Sequence, residues 1–228
     1  MSNLNHVGII MDGNRRYAKK MKSNVFFGYD KGKDAMDRII DFWYNETKIN
    51  YLSLFTLSLD NYKKRPELEK NHIYKILSEG LYQIIERSKD IRINFIGNWQ
   101  IVNNNRLIEA INYSLSKTKN NQGKMLNFIF CYDFQEEIVQ AFKKIYKANI
   151  DVDKIDENVI KQFLYTKDLP NVDLLIRTGG EQRVSGFLSW DIVYAELYFL
   201  EKFFPEFTIS DFRNAVEDFY KRERRYGK

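Results

Sequence analysis

Cysteine, histidine and proline are scarce in this 228-residue chain, which has one cysteine, two histidines and three prolines. A lone Cys131 cannot form an internal disulfide and is typical of a reducing compartment. Its place inside the apolar run LNFIFCY predicts a buried strand thiol rather than a nucleophile. One cysteine and two histidines also argue against a structural zinc site, which normally takes four such ligands.

Long apolar stretches are lacking as well. No apolar run approaches the roughly 20 residues that a membrane-spanning helix needs. The N-terminus lacks the charged and apolar segments of a signal peptide. Three prolines and eleven glycines leave no obvious linker. We therefore expect one domain over residues 1–228 and a cytoplasmic location.

Positive charge is present in moderate excess. The formal net charge is +5 at pH 7, from 36 Lys and Arg against 31 Asp and Glu. Such a balance suggests an anionic partner, which could be nucleic acid, a membrane surface or a phosphorylated small molecule. Charge alone does not choose among them.

Short β-like runs alternate with longer amphipathic stretches. The predicted strands are residues 6–11, 51–58, 91–97, 125–132, 172–178 and 195–199. The predicted helices are residues 31–47, 67–88, 103–118, 134–148, 156–164 and 208–224. This alternation predicts an α/β fold, with a central, mainly parallel sheet of about six strands flanked by helices.

The first predicted strand runs into DGNRR. Ligands of such sheets gather at the carboxyl ends of the strands, and the free N–H groups of a glycine-containing turn favour an anion there. Arg15 and Arg16 would add charge-assisted hydrogen bonds to phosphate oxygens. Asp12 cannot itself bind phosphate but is a suitable Mg²⁺ ligand. An ordinary Asp-Gly turn with solvated arginines is the competing interpretation.

Two further strand ends carry similar chemistry. The second strand leads into SLDNYKKRP, which offers Ser58, Asn61, Lys64 and Arg65, and the fifth leads into RTGGEQRVS. The paired glycines of that last segment let a ligand approach the backbone, and its arginines and serine could hold a second anion. The three strand ends together predict a phosphate-binding rim. A nucleic-acid binder would instead present its basic residues on one exposed face.

Four segments in order, HVGIIMDGNRRYAKK, SLDNYKKRPELE, VDLLIRTGGEQRVSGFLSWDIVYAELYF and FYKRERRYGK, resemble the cis-prenyltransferases, of which undecaprenyl diphosphate synthases are the best-known members. The resemblance spans essentially the whole chain. It implies a homodimeric α/β fold with a hydrophobic tunnel. It also implies condensation of isopentenyl diphosphate with an allylic diphosphate such as farnesyl or geranylgeranyl diphosphate, with release of pyrophosphate and formation of a cis double bond.

The resemblance also implies residue roles. Asp12 is expected to engage Mg²⁺ and to assist departure of the allylic diphosphate, and Glu196 to bind Mg²⁺ and support dimer assembly. Asn61, with Ser58, is expected near the reacting carbons. The expected allylic-diphosphate residues are Gly13, Asn14, Arg15, Arg16, Tyr17, Tyr62, Lys64 and Arg65. The expected isopentenyl-diphosphate residues are Arg177, Arg183, Ser185 and, from the tail, Arg225 and Gly227.

This sequence departs from the family pattern at several positions. Val25 and Tyr29 stand where most relatives have an arginine and a histidine, so the allylic site loses an expected cation. Arg15, in a DGNRR motif of archaeal and eukaryotic type, could compensate. The NYKKRP segment is one residue longer than the usual form, so Lys64 and Arg65 compete for one phosphate-binding role.

Several functions remain open at this level. The leading hypothesis is a chain-elongating enzyme whose product length depends on residues such as Leu57, Tyr82 and Leu126 along the tunnel floor. A synthase of short or branched terpenoid diphosphates is the nearer alternative, and a non-catalytic partner subunit is a more distant one. The lipid product could bring the enzyme to a membrane surface, and no nucleic-acid partner is expected.

Overall fold

The computed structural model describes residues 4–223. Its six strands form one sheet in the order β3-β4-β2-β1-β5-β6, with every neighbouring pair parallel. The strands are β1 His6–Ile10, β2 Tyr51–Ser58, β3 Arg92–Ile96, β4 Met125–Tyr132, β5 Leu174–Arg177 and β6 Glu196–Phe199. The predicted parallel sheet is therefore confirmed, and β2 and β4 have the predicted bounds.

Eight α-helices connect and cover the strands in the described residues. They are α1 Asn14–Lys20, α2 Val25–Glu46, α3 Leu59–Lys64, α4 Glu67–Arg87, α5 Asn105–Thr118, α6 Phe134–Lys147, α7 Glu157–Phe163 and α8 Ile209–Lys221. Helix α2 begins six residues before the predicted start because the Asn24 side chain accepts a hydrogen bond from the Phe27 N–H at 3.0 Å and caps it there. The sequence pattern missed α1 and α3.

The sheet is buried on both faces, as a parallel sheet must be. Successive side chains of a strand point to opposite faces. In β4, Phe128 and Phe130 join the core beneath α2, α4, α5 and α8, whereas Ile129 joins a second core that contains Phe187. Ligand-binding side chains are therefore expected at the carboxyl-terminal edge of the sheet.

His6 is fully buried at the start of β1 and has a structural place in the sheet. Its Nε2 lies 2.7 Å from Ser53 Oγ, and its Nδ1 lies 2.9 Å from the Pro170 carbonyl oxygen. Burial lowers the pKa of His6 to about 4. Cys131 is buried too, and burial raises the pKa of its thiol to about 12. Neither group is therefore poised for chemistry near neutral pH.

Acidification from about pH 7.5 to about pH 5 should lower the free energy of unfolding by about 2 kcal/mol through His6 alone. The unfolded chain takes up this proton below about pH 6.5, whereas the folded chain resists it until the pH nears 4. The contribution is thus complete above pH 6.5 and is lost as the pH falls. Urea unfolding of the wild type and His6→Gln at both pH values measures it. The variant should lose less stability on acidification, and equal losses would contradict the role given to His6.

Candidate active site

A cavity of about 880 Å³ opens at the carboxyl ends of β1, β2 and β5. Its mouth is polar and carries the arginines of two loops, whereas its inner wall is apolar and is formed by α2 and α4. Met36 of α2 and Ile73, Ile76 and Leu77 of α4 form that inner wall. The arrangement suits a ligand with an anionic head and an apolar tail.

Gly13 turns the chain from β1 into α1. Its φ of 109° is in the left-handed region that favours glycine, and a Cβ on it would lie 2.7 Å from the Phe203 ring. This turn places Asn14, Arg15 and Arg16 along the cavity mouth. The residues of the DGNRR segment are thus brought together as expected.

Asp12 links the loop that follows β1 to the loop that follows β5. Its Oδ2 lies 2.9 Å from Arg177 Nη2, and its Oδ1 lies 3.1 Å from Arg16 Nη2. Thr178, next to Arg177, donates its hydroxyl to the Asp12 carbonyl at 2.8 Å. One carboxylate therefore sets the distance between the cations of the two loops.

Arg177 is the more rigidly held of these cations, with only 5% of its side chain exposed. Its Nη1 donates to Ser185 Oγ at 2.8 Å and to the Arg183 carbonyl. Its Nε is buried and has no hydrogen-bond partner. Three of the five residues expected to bind isopentenyl diphosphate, Arg177, Arg183 and Ser185, are therefore one connected group at the cavity mouth.

Glu181 also belongs to the site, although the sequence analysis did not single it out. It pairs with Arg16 at 3.4 Å and with Arg183 at 2.5 Å. Asp133 lies in the cavity wall as well, where it caps α6 by accepting the Glu136 N–H. Both follow strands of the predicted sheet, so the strand-end rule used for the other residues could have found them.

Of Lys64 and Arg65, only Arg65 lines the cavity. Arg65 ends α3 and lines the cavity, with its guanidinium 5.5 Å from the centre of the Tyr29 ring. The Lys64 side chain is 73% exposed and pairs with Asp60, which lines the cavity, but Lys64 itself does not line it. Ser58 and Asn61 do lie in that wall, and the Asn61 N–H donates to Ser58 Oγ at 3.1 Å.

The structure does not bring every expected residue to the cavity. Tyr17 stacks on Phe27 at 6.1 Å between ring centres, and Tyr62 donates its hydroxyl to the Ile101 carbonyl. Glu196 lies at the amino-terminal end of β6, where it pairs with Arg222 at 2.9 Å. It is three residues below the level of Arg177, about 10 Å along the strand. Arg225 and Gly227 lie outside the described residues.

The donor set at the mouth is suited to a substrate-borne Mg²⁺. Residues 4–223 contain no cluster of three or more His, Cys, Asp or Glu side chains that could hold a metal ion. Mg²⁺ is commonly held by one or two carboxylates together with substrate phosphates. Asp12 offers one such carboxylate beside the cations that would hold a phosphate. Glu196 is too far from Asp12 to share an ion with it within one protomer.

Comparison with known proteins decides the family. A family model described as a putative undecaprenyl diphosphate synthase matches residues 10–227. An isoprenyl transferase of Oceanobacillus iheyensis is 37% identical over 228 residues, which cover 97% of this chain and 89% of the relative. The chain belongs to the cis-prenyltransferase family. It is therefore an enzyme that transfers prenyl groups, a polyprenyl diphosphate synthase by family.

Two further relatives of this cis-prenyltransferase have informative names. One is a tritrans,polycis-undecaprenyl-diphosphate synthase (geranylgeranyl-diphosphate specific) of Thermoplasma volcanium, 35% identical over 98% of this chain and 88% of its own. The other is lavandulyl diphosphate synthase from Lavandula x intermedia, solved in complex with dimethylallyl diphosphate. Its structure matches with a TM-score of 0.92 and 31% identity over 98% of both chains. Within residues 4–223, no helix of this cis-prenyltransferase is both long and apolar enough to cross a membrane.

Proposed function

We propose that this cis-prenyltransferase elongates an allylic diphosphate, such as farnesyl or geranylgeranyl diphosphate, with isopentenyl diphosphate. The products are a cis-polyprenyl diphosphate and pyrophosphate. The observation that carries the proposal is the junction at Asp12, which joins two arginine-bearing loops at the mouth of a cavity with an apolar interior. The name of the Thermoplasma relative, an undecaprenyl-diphosphate synthase, supports elongation over synthesis of a short branched product.

The reaction has a simple electronic balance. The C–O bond of the allylic diphosphate breaks, and its electron pair leaves with pyrophosphate. The terminal alkene carbon of isopentenyl diphosphate forms the new C–C bond with the allylic carbon, which leaves positive charge on the substituted alkene carbon. A proton then leaves the methylene next to that substituted carbon, and its electron pair forms the new double bond. Negative charge therefore grows on the leaving diphosphate while positive charge grows on the allylic carbon. Fixed cations stabilise the first charge, and a dry apolar wall protects the second from water.

The two loops that Asp12 links would each bind one of the two substrates. Arg177, Arg183 and Ser185 would hold isopentenyl diphosphate, and the loop from Gly13 to Arg16, with Arg65, would hold the allylic diphosphate. Apart from Arg65, these arginines would exchange a protein carboxylate for phosphate oxygens, which are strong charge-assisted acceptors. When Mg²⁺ is bound on Asp12, it would neutralise diphosphate charge during departure.

Labelled isopentenyl diphosphate tests the reaction directly. Incubated with farnesyl, geranylgeranyl or dimethylallyl diphosphate, the enzyme should give a ladder of products that differ by C5 units. A single C10 product would instead establish the short-chain or branched-terpenoid alternative. Failure to incorporate label with any of the three would favour the non-catalytic subunit.

Gly80 of α4 borders open space that a growing prenyl chain would occupy. Gly80 continues the helix face of Ile73, Ile76 and Leu77, is buried, and would bear a Cβ with no other atom within 4 Å. Tyr82, in contrast, is exposed on another side of α4 against Tyr113, so its predicted place on the tunnel floor is wrong. Gly80→Phe should shorten the longest product by at least one C5 unit, as separated by chromatography. An unchanged ladder would show that the chain does not use this space.

We also propose a homodimer in which α6 faces its copy. Val139, Phe142 and Tyr146 form an apolar stripe on α6 and are 50%, 67% and 85% exposed. An apolar groove follows beside it, lined by Ile145, Trp190 and neighbouring side chains of α6 and α7. An exposed stripe of this size marks an interaction surface. The polyprenyl product is a lipid, and its release would bring the dimer to a membrane surface.

Phe142→Asp should weaken that dimer roughly 100-fold, because it places a charge at the centre of an apolar interface. Light scattering of the eluting protein measures the change as a shift from dimer to monomer. Leu68→Asp is the matched control, since Leu68 is 74% exposed on α4, away from the stripe. A dimer that survives in Phe142→Asp as well as in the control would exclude this face.

A further inference from the structure

Arg65 differs from the other arginines of the cavity wall. Four of the five have a carboxylate partner: Arg15 has Glu69, Arg16 and Arg177 share Asp12, and Arg183 has Glu181. In residues 4–223 no carboxylate oxygen lies within 4.0 Å of the Arg65 nitrogens. Burial lowers the pKa of this guanidinium. A half-buried cation without a carboxylate in direct contact is costly, and an anionic ligand would lower that cost.

Tyr29 provides the surface on which Arg65 lies. The guanidinium carbon is 5.5 Å from the ring centre, a distance at which the ring face attracts a cation. The ring is fixed at its far end, because the hydroxyl donates to Glu69 Oε2 at 2.7 Å. Burial raises the pKa of the Tyr29 hydroxyl, so this donor keeps its proton at neutral pH. Tyr29 thus acts as a rigid platform.

Glu69 links three parts of the site. It belongs to α4, accepts from Tyr29 of α2, and has Arg15 of α1 3.7 Å away. Only 10% of its side chain is exposed. A buried carboxylate in this position orients the Tyr29 ring and draws Arg15 towards the same side of the mouth as Arg65.

The location indicates which diphosphate this group would meet. Arg65, Tyr29 and Glu69 lie on the α2 and α4 side of the mouth, next to the apolar inner wall of the same two helices. The substrate with the long apolar tail must run along that wall. Its diphosphate is therefore the one that comes within reach of Arg65, while the connected group around Arg177 occupies the other side.

We propose that Tyr29 and Glu69 are positioning residues that hold the Arg65 guanidinium towards the diphosphate of the allylic substrate. The inference rests on the proposed function and deepens it. The aromatic ring of Tyr29 sets the direction of the cation at the end of α3.

Steady-state kinetics with both substrates varied tests the proposal. Tyr29→Leu should raise KM for the allylic diphosphate about tenfold, with kcat within threefold and KM for isopentenyl diphosphate unchanged. Tyr29→Phe keeps the ring and should restore most of the affinity. Lys63→Ala, an exposed neighbour on α3, is the control and should match the wild type. Equal rises in both KM values, or no rise in Tyr29→Leu, would overturn the proposal.

A double-mutant cycle separates positioning from a direct contact. In an Arg65→Ala background, Tyr29→Leu should have no further effect on the allylic KM, whereas fully additive effects would overturn the proposal. If Tyr29→Leu does not fold, Glu69→Gln takes its place, and an unchanged allylic KM in that variant would overturn the proposal. Failure of the proposed function is distinguishable, since the wild type would then show no prenyl transfer at all.

Discussion

Asp12→Asn should lower turnover about 100-fold or more while both diphosphates still bind. The substitution keeps the shape of the side chain but removes the one carboxylate that pairs with Arg16 and Arg177 together. It also removes the proposed Mg²⁺ ligand. Loss of a single pre-organised electrostatic contact in an active site commonly costs 10²–10³ in kcat. Both arginines become more available to phosphate, so KM should stay the same or fall.

The measurement is kcat at saturating levels of both substrates, with KM for each determined separately. Asp60→Asn is a suitable control, because Asp60 is at the same rim but its side chain is 62% exposed and, within residues 4–223, its ion-pair partner is the exposed Lys64. It should retain turnover within about threefold, as expected for a surface ion pair. Turnover near the wild-type value in Asp12→Asn would refute the role of this carboxylate.

The strands could be predicted from sequence because each is a continuous apolar run bounded by turn residues. Buried parallel strands have this composition, and β2 and β4 were located to the residue. The short helices could not be predicted from the sequence. Helices α1 and α3 have only seven and six residues, too few for a periodic pattern or for intrinsic stability, so their existence depends on tertiary packing.

The candidate site likewise has residues that the sequence could place and others that it could not. Strand ends gather at one edge of a parallel sheet, so Asp12, Asn61 and Arg177 could be brought together from their positions alone. The direction in which a side chain points after the end of a strand could not be predicted in this way. Lys64 and Arg65 are adjacent, yet one faces solvent and the other faces the cavity, because the chain leaves α3 between them. Glu69 was missed because its partners come from two other helices.

Helix α1 depends on the close approach of α2, and this yields the strongest prediction about stability. Gly28 of α2 lies directly against the first residue of α1. A Cβ at position 28 would be 2.2 Å from the Asn14 carbonyl oxygen and 3.0 Å from the Ala18 side chain. Gly32, one turn later, meets the Asn14 side chain in the same way, with 2.3 Å to Oδ1. Two glycines four residues apart thus form the surface on which the phosphate loop rests.

Gly28→Ala should lower the free energy of unfolding by about 3 kcal/mol, because a backbone carbonyl cannot move aside as a flexible side chain can. The displaced Asn14 and the arginines beside it should also raise KM for the allylic diphosphate. Urea unfolding and steady-state kinetics measure the two effects.

Gly80→Ala is the matched control, a helical glycine of α4 whose added Cβ meets no atom within 4 Å. It should be more stable than the wild type by up to about 1 kcal/mol, since alanine has the higher helix propensity. The two substitutions are chemically the same, so opposite signs can arise only from what surrounds each glycine. If Gly28→Ala were as stable as Gly80→Ala, helix α1 would not be held by this contact, and the position of the phosphate loop would need another cause.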